Sequence, residues 1–301
     1  MNRALITGIE GFTGHYLAAE LQDAGFEVFG TAMRPRADAA PNIYECDLCD
    51  AESTKAVVAQ IRPDVIVHLA GIAYVAHGDV DAIYRTNVVG ARNLLDAISA
   101  CGRAPKAVLL ASSSNIYGNA TAGILDEYTP PAPANDYAVS KLAMEYMAAL
   151  WAEKLPITIV RPFNYTGVGQ SIQFLLPKIV DHFRRRAAVI ELGNLNVIRD
   201  FSDVRSVVRC YRLLIETTQR GEAFNICSGA GHSLLEIISM VKSLSGHNLD
   251  VVVNPAFVRS NDVHRLIGSS SKLEAVIGPV ASIPIAETLK WMLDAPAEGV
   301  A

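Results

Sequence analysis

A tyrosine and a lysine stand four residues apart in the segment NDYAVSK, residues 135–141. The apolar periodicity predicts a helix over residues 137–154, so Tyr137 and Lys141 would project from the same face of its first turn. An ammonium favours the ionised form of a neighbouring phenol, so we expect Lys141 to lower the pKa of Tyr137. The pair therefore predicts proton transfer at Tyr137, although an exposed helix start would show the same spacing without function.

Three consecutive serines follow a predicted apolar strand at residues 107–111. Side chains alternate along a strand, which puts Ser112 and Ser114 on one face and Ser113 on the other. One of these hydroxyls is a candidate partner for the tyrosine and the lysine, and a merely polar strand end is the alternative. Alternation alone does not choose among the three serines.

A glycine-rich turn must position part of this chemistry. The short strand at residues 4–7 runs into GIEGFTG, residues 8–14, and a helix is predicted over residues 15–24. Gly8 permits the tight turn, Gly11 lets the backbone approach a pyrophosphate, and Gly14 allows close helix–strand packing. Free N–H groups at the helix N-terminus favour an anion. The loop predicts a dinucleotide site, to which we also assign Phe12 and Thr13.

The end of the second predicted strand bears on the choice of dinucleotide. Residues 30–36 read GTAMRPR, without the acidic residue that usually binds the ribose diol of NAD. Arg34 or Arg36 could instead pair with a 2′-phosphate, which favours NADP(H). A solvated loop charge is the alternative for either arginine.

The segment VIVHLAG, residues 65–71, predicts a buried strand with small residues at its end. There Leu69, Ala70 and Gly71 would let the backbone lie against the nicotinamide ribose. His68 lies inside the apolar run, so we interpret it as a core histidine with its hydrogen bonds satisfied. A further helix is predicted over residues 81–100.

Composition limits the class of protein. The chain has 301 residues, half of them apolar, and a formal net charge of −5, which argues against a nucleic-acid or anionic-membrane surface. It lacks the run of roughly 18 apolar residues that a membrane helix needs, and it enters its first strand without room for a signal peptide. Cys46 and Cys49 form a lone C-x-x-C, so no metal is expected. We expect a cytoplasmic protein.

Motifs in the second half allow a family to be named. These are RPFN with GVGQ (residues 161–164 and 167–170), GNL with RDF (193–195 and 199–201), and FNICSG (224–229). With the glycine loop and the Tyr-x-x-x-Lys pair, the chain resembles extended short-chain dehydrogenase/reductases that act on nucleotide sugars. It looks most like the GDP-4-keto-6-deoxy-mannose reductases.

The resemblance implies an α/β fold, a doubly wound parallel Rossmann sheet with a smaller α/β substrate-binding C-terminal part. It places the NADP-binding domain in residues 1–165, joined by parts of 195–226, and the mostly substrate-binding domain in residues 166–301. It also implies a homodimer formed by the helices near residues 81–100 and 137–154.

The resemblance further assigns site residues. Ser113 would be the serine of a Ser–Tyr–Lys triad, and Asn87 would order backbone and water. Asp47 and Leu48 would contact the adenine, and a loop Asp before a helix that starts near Asp50 is the alternative for Asp47. The residues implied for the nucleotide-sugar substrate, besides Ser113, are Asn115, Asn164, Lys178, Arg199 and Arg259. A surface ion pair is the alternative for each of the two arginines.

Three departures from the family pattern qualify these assignments. Tyr165 follows Asn164 where relatives often carry His, and the residues after Arg259 differ from the usual pattern. Asn115 stands where dehydratases of the family place the Glu that removes the C5 proton, and an amide cannot act as that base.

The sequence therefore predicts NADPH-dependent reduction of the C4 ketone of a GDP-4-keto-6-deoxy sugar, with the stereochemistry at C4 open. The alternatives are a 4-epimerase, a GDP-mannose 4,6-dehydratase with tightly bound cofactor, and a dinucleotide-sensing binding protein.

Overall fold

The structure is a computed structural model that describes residues 2–73, 78–120, 123–217, 219–258 and 264–296. Its strands are β1 Arg3–Thr7, β2 Glu27–Ala32, β3 Ile43–Glu45, β4 Val65–His68, β5 Ala107–Ala111, β6 Ile157–Pro162, β7 Asn164–Thr166, β8 Val189–Leu192, β9 Ile198–Asp203, β10 Glu222–Ile226, β11 Gly231–Ser233, β12 Asp250–Val253 and β13 Arg265–Leu266. Its α-helices are α1 Phe12–Asp23, α2 Ala51–Ile61, α3 Val80–Tyr84, α4 Ala91–Ala100, α5 Asp136–Ala148, α6 Leu175–Arg184, α7 Val204–Ile215, α8 Leu234–Ser245, α9 Ser271–Ile277 and α10 Ile285–Asp294.

Seven parallel strands form the main sheet in the order β10-β6-β5-β4-β1-β2-β3. Its central strands are buried on both faces, which is why they read as unbroken apolar runs in the sequence. Helices α1 and α7 pack on one face, and α2, α4 and α5 pack on the other. The prediction of a doubly wound Rossmann sheet is confirmed.

The register of three central strands brings the predicted site together. Thr7 of β1 pairs with His68 of β4, and His68 pairs with Leu110 of β5. The order of the strands reverses between β1 and β4, the place where doubly wound sheets bind ligands. The glycine turn, the end of β4 and the serines after β5 therefore meet at one edge of the sheet.

A second core lies in the C-terminal part of the chain. Helices α6, α8 and α10 pack with β8 and β9 around Leu176, Ile179 and Phe183. Strand β9 pairs with β7, β11 and β13, while β8 pairs with β12. Strand β10 returns to the main sheet beside β6. The exact division of the chain into two domains stays a prediction.

Two predicted helix boundaries were wrong. Helix α1 begins at Phe12 rather than residue 15, because extended Gly11 is its N-cap and Gly14 lies inside its first turn. Helix α5 ends at Ala148 rather than at residue 154, and a 3₁₀ turn, Ala149–Trp151, tightens its C-terminus.

The helix predicted over residues 81–100 is present with one irregularity. Helices α3 and α4 are joined by the π-helical turn Arg85–Gly90, which contains Asn87. Such a turn carries an extra residue and often marks a functional site. None of the helices in the described ranges combines the length and apolarity that a membrane crossing requires.

Candidate active site

The glycine turn forms a cradle whose backbone approaches the end of β4. Gly8 has φ +72°, and a Cβ at this position would lie 2.9 Å from the Cα of Ala70. Gly11 caps α1 without a side-chain hydrogen bond, and the first turn of α1 contains no acidic residue. The N–H groups and the helix dipole therefore remain available to an anion. These features fit the pyrophosphate of a dinucleotide.

Phe12 and Thr13 connect the glycine turn to the strand after β6. The Thr13 hydroxyl lies 2.8 Å from the Tyr165 hydroxyl, and the Phe12 and Tyr165 rings stack with their centroids 6.1 Å apart. Tyr165 is also close enough to Tyr137 to affect its ionisation. Tyr165 thus bridges the predicted cofactor loop and the predicted catalytic residue. From the sequence, Tyr165 is noted only as a departure from the family pattern.

Asn87 fastens the segment after β4 to α5. Its Oδ1 accepts from the Ile72 N–H at 2.9 Å, and its Nδ2 donates to the Ser140 hydroxyl at 3.0 Å. A Cβ on Gly71 would lie 2.8 Å from the Asn87 Oδ1 and 3.3 Å from the Lys141 Nζ. The side chains of Asn87 and Lys141 therefore sit directly against Gly71. The predicted role of Asn87 in ordering backbone here agrees with these contacts.

Ser113, Tyr137 and Lys141 meet at the edge of the sheet, and all three are at least nine-tenths buried. The Ser113 hydroxyl lies near enough to the Tyr137 phenol to favour the ionised form of the phenol. Burial raises the pKa of Tyr137 to about 12, with a further increase from Tyr165, while the Ser113 hydroxyl opposes the rise. The expected lowering of the pKa of Tyr137 by Lys141 was therefore wrong, because desolvation dominates.

Lys141 directs its ammonium elsewhere. Its Nζ donates to the Ala111 carbonyl oxygen at 2.8 Å. Burial lowers the pKa of Lys141 to about 8, and the charge of Glu145 opposes that fall. Lys141 is thus mostly protonated at neutral pH, while Tyr137 keeps its proton.

His68, at the end of β4, and Ser112, just after β5, are two further buried polar residues. His68 Nδ1 lies 2.7 Å from the Thr7 hydroxyl, and burial followed by the nearby Lys141 charge lowers the pKa of His68 to about 3. In the described residues, His68 Nε2 and the Ser112 hydroxyl are buried without a hydrogen-bond partner. The interpretation of His68 as a satisfied core histidine holds for one of its ring nitrogens only.

Asn115 turns its amide toward the triad. Its backbone N–H and its Nδ2 both donate to the Ser113 Oγ, at 3.2 and 3.1 Å. The position that would hold a carboxylate in a dehydratase therefore donates hydrogen bonds to the serine.

The predicted adenosine end of the site lies around the ends of β2 and β3. Leu48 is buried and its carbonyl oxygen accepts from Asn93 Nδ2, whereas Asp47 is exposed and its carboxylate accepts from the Cys49 N–H. Arg34 is exposed and has no side-chain partner in the described part of the chain. The Arg36 Nε lies 3.5 Å from the Asp38 Oδ1, and the Arg36 backbone N–H donates to the Glu10 Oε1. Glu10 is an acidic neighbour that the sequence did not indicate.

The predicted substrate residues occupy the C-terminal part. Asn164 Nδ2 donates to the Asp200 carbonyl oxygen at 3.4 Å. Lys178 Nζ donates to the Glu191 carbonyl oxygen at 2.8 Å and lies over the Phe257 ring. Arg199 donates to the carbonyl oxygens of Ile198 and His264.

Arg259 lies outside the described residues. Asp200, from the RDF motif, is fully buried, and its carboxylate accepts hydrogen bonds from Ser228 and from the Gly229 N–H. This part of the motif therefore fastens β9 to the turn after β10.

Comparison with known proteins decides the family. The model of the NAD dependent epimerase/dehydratase family matches residues 4–227. The chain belongs to this family. It is therefore an NAD(P)-dependent oxidoreductase of the nucleotide-sugar epimerase/dehydratase type.

Relatives of the chain within this epimerase/dehydratase family cover nearly its whole length. The GDP-6-deoxy-D-talose 4-dehydrogenase of Aggregatibacter actinomycetemcomitans is 36% identical, over 92% of this chain and 91% of its own. The GDP-6-deoxy-D-mannose reductase of Pseudomonas aeruginosa is 32% identical, over 97% and 96%.

Two solved structures are also similar. A Burkholderia cenocepacia J2315 protein, described as a candidate epimerase, is 53% identical with a TM-score of 0.92, and 97% of each chain is covered. RMD from Pseudomonas aeruginosa, solved with NADPH, is 30% identical with a TM-score of 0.85, covering 97% of this chain and 98% of its own.

The exposed position of Arg34 leads to a prediction about cofactor choice. We expect Arg34→Ala to weaken the binding of NADPH roughly ten- to a hundredfold and that of NADH less, because only NADPH carries a 2′-phosphate. A charge-assisted hydrogen bond to that phosphate contributes about 1.5–3 kcal/mol. Nicotinamide fluorescence gives both dissociation constants. Arg36→Ala is the matched control, since Arg36 already pairs with Asp38. Equal weakening of NADPH and NADH binding would show that Arg34 does not discriminate between the two cofactors.

Proposed function

We propose that the protein uses NADPH to reduce the C4 ketone of GDP-4-keto-6-deoxy-D-mannose to GDP-D-rhamnose or its talose epimer. The single observation that carries the reductive direction is the buried, protonated Tyr137 beside Ser113, with an amide rather than a carboxylate at Asn115. The names of the talose dehydrogenase and mannose reductase relatives support the sugar and the nucleotide.

The triad residues have separate tasks in this reaction. Tyr137, whose raised pKa keeps its proton at neutral pH, donates that proton to the alkoxide that develops at O4. Ser113 hydrogen-bonds the same oxygen and keeps it within reach of the phenol. Lys141, whose ammonium donates to the Ala111 carbonyl oxygen at the end of β5, would supply positive charge to the site and hold the nicotinamide ribose.

The residues around the glycine turn would hold the cofactor. Gly8, Gly11 and the N-terminus of α1 would bind the pyrophosphate, while Ala70, Gly71 and Asn87 would bound the ribose. When bound, NADPH supplies the hydride that reduces C4. The likeness to RMD, which was solved with NADPH, and the exposed Arg34 support the phosphorylated form.

The C-terminal residues would hold the GDP part. Lys178 and Arg199 direct cationic groups at backbone carbonyl oxygens, and a diphosphate would offer them stronger acceptors. Asn164, which pairs with Phe201 between β7 and β9, would contact the same diphosphate. We propose that Arg259 also binds the GDP part of the substrate.

The two carboxylates on the loop after Tyr117 are engaged away from the triad. Asp126 accepts from the Tyr128 N–H and the Thr129 hydroxyl, and Glu127 accepts from the Asn225 N–H at 2.7 Å. Neither carboxylate contacts Ser113 or Tyr137. These bonds support reduction over removal of the C5 proton.

The substrate test compares two sugars. We expect NADPH consumption, followed at the nicotinamide absorbance, with GDP-4-keto-6-deoxy-D-mannose as substrate. With NADP and GDP-mannose we expect no 4-keto sugar, since Asn115 cannot take a proton. Formation of that keto sugar at a useful rate would show that the protein is a dehydratase and would contradict the reductase proposal.

The candidate-epimerase description of the 53% identical structure favours one rival, a 4-epimerase. An epimerase reoxidises its own product and retains its cofactor. The proposal expects the purified protein to exchange added NADPH freely; stoichiometric, non-exchanging cofactor together with interconversion of C4 epimers would favour the rival.

Tyr137→Phe tests the proton donor. The change keeps the ring and removes the transferable proton, so turnover should fall by about 10²–10⁴ with little change in NADPH affinity. Tyr146→Phe is the matched control, because Tyr146 lies exposed on the same helix. Near-normal turnover of Tyr137→Phe would remove Tyr137 from the mechanism.

We also propose a homodimer through two helical segments, one formed by α3, the π-helical turn and α4, and the other by α5 with its 3₁₀ turn. Exposed apolar side chains lie along these elements: Val89, Val139, Tyr146 and Leu150. A second copy of the chain would cover them and bury apolar surface on both sides.

The dimer is tested by charging this surface. Leu150→Asp should shift sedimentation from dimer to monomer, because burying an unpaired carboxylate is costly. Leu235→Asp, at an exposed leucine of α8, should leave the dimer intact. A wild-type monomer at micromolar concentration would disprove the proposed dimer.

A further inference from the structure

A third ionisable residue shares the helix face that carries Tyr137 and Lys141. Glu145 lies one turn beyond Lys141 on α5, so the three residues are spaced by four and line one face. Residues at this spacing have Cβ atoms roughly 5–6 Å apart. The Glu145 side chain is only 10% exposed, which places its carboxylate in the same poorly hydrated layer as the lysine.

Arg161 of β6 holds Glu145 in place. Its Nε and Nη2 donate to the two carboxylate oxygens of Glu145, at 3.1 and 2.7 Å. Its Nη1 donates to the Tyr117 hydroxyl at 2.9 Å and to the Glu127 carbonyl oxygen at 3.2 Å. The guanidinium satisfies both carboxylate oxygens and fixes the carboxylate relative to the sheet.

The other groups around Lys141 add no negative charge. His68 of β4 is neutral and Tyr137 keeps its proton. Asn87 and the Ala111 carbonyl contribute dipoles only. Among the described residues, Glu145 is the carboxylate whose charge acts on the lysine.

We propose that Glu145, fixed by Arg161, is a positioning residue that keeps the buried Lys141 in its ammonium form. The part played by that ammonium in reduction rests on the proposed function, whereas the charge relation between the two side chains does not. A purely structural ion pair that pins α5 to β6 is the competing explanation.

The size of the effect follows from the geometry. Burial already brings the pKa of Lys141 down to about 8, so little margin separates it from neutral pH. Because Glu145 stands one helical turn from Lys141, removing its charge should lower the pKa of Lys141 by about one pH unit. Lys141 would then be largely neutral at pH 8.

The first experiment measures the titration of Lys141 directly in the full chain. Lysine labelled with ¹³C at Cε gives eight signals, one for each lysine, and Lys141→Met identifies the relevant one. Glu145→Gln should lower the midpoint of this signal by about one pH unit, and Glu145→Asp should restore most of the difference. An unmoved midpoint in folded Glu145→Gln overturns the proposal.

Two further variants separate the charge of Glu145 from its ion pair. Glu145→Gln combined with Arg161→Met removes both charges, and it should still show the lowered midpoint. A midpoint restored to that of the wild type would assign the effect to a freed Arg161 and overturn the proposal. Glu20→Gln is the matched control: it breaks the Glu20–Arg212 pair on the opposite face of the sheet and should leave Lys141 unchanged.

The pH dependence of NADPH binding supplies a second readout that needs no sugar. In Glu145→Gln the dissociation constant should rise severalfold at pH 8 and return toward the wild-type value at pH 6. A uniform loss at both pH values would indicate a structural role only. Because neither measurement involves the GDP sugar, failure of the substrate assignment would leave both results interpretable.

Discussion

A lysine ammonium buried at the carboxyl ends of the parallel strands is the constraint around which the site is arranged. Desolvation disfavours the charge, so it must be offset by nearby acceptors and by charge of opposite sign. The Ala111 carbonyl at the end of β5 accepts its hydrogen bond, and a carboxylate stands one helical turn away. The same desolvation acts on Tyr137 in the opposite sense and keeps the phenol protonated. One physical effect thus prepares two neighbouring residues for different tasks.

The fold and the membership of the triad could be predicted because they depend on local patterns. Apolar runs of four to six residues gave the buried strands, and the glycine spacing gave the turn between β1 and α1. The ends of parallel strands meet at one edge, so residues following β1, β4 and β5 had to lie close together. The choice of Ser113 needed the family resemblance, since alternation along a strand does not select among three serines.

What could not be predicted depends on long-range contacts and on dielectric environment. The sign of the change in the pKa of Tyr137 depends on burial, which a four-residue spacing does not report. Tyr165 reaches Thr13 across 152 positions, and Arg161 reaches back to Glu145 from another element. Glu10 approaches Arg36 only because the glycine turn folds over the end of β2. Helix ends shifted because capping and 3₁₀ geometry are decided by single backbone angles.

The position of β10 at the edge of the sheet has a consequence for synthesis on the ribosome. Residues 3–162 supply six of the seven strands. Until residue 226 has emerged, the side of β6 that will pair with β10 remains an apolar strand edge without a partner. The Asn225 side chain, which accepts from the Tyr117 hydroxyl and donates to the Leu125 carbonyl, also arrives with that last strand. A nascent chain therefore contains a nearly complete nucleotide-binding sheet with one exposed apolar strand edge. Chaperones shield surfaces of this kind during translation.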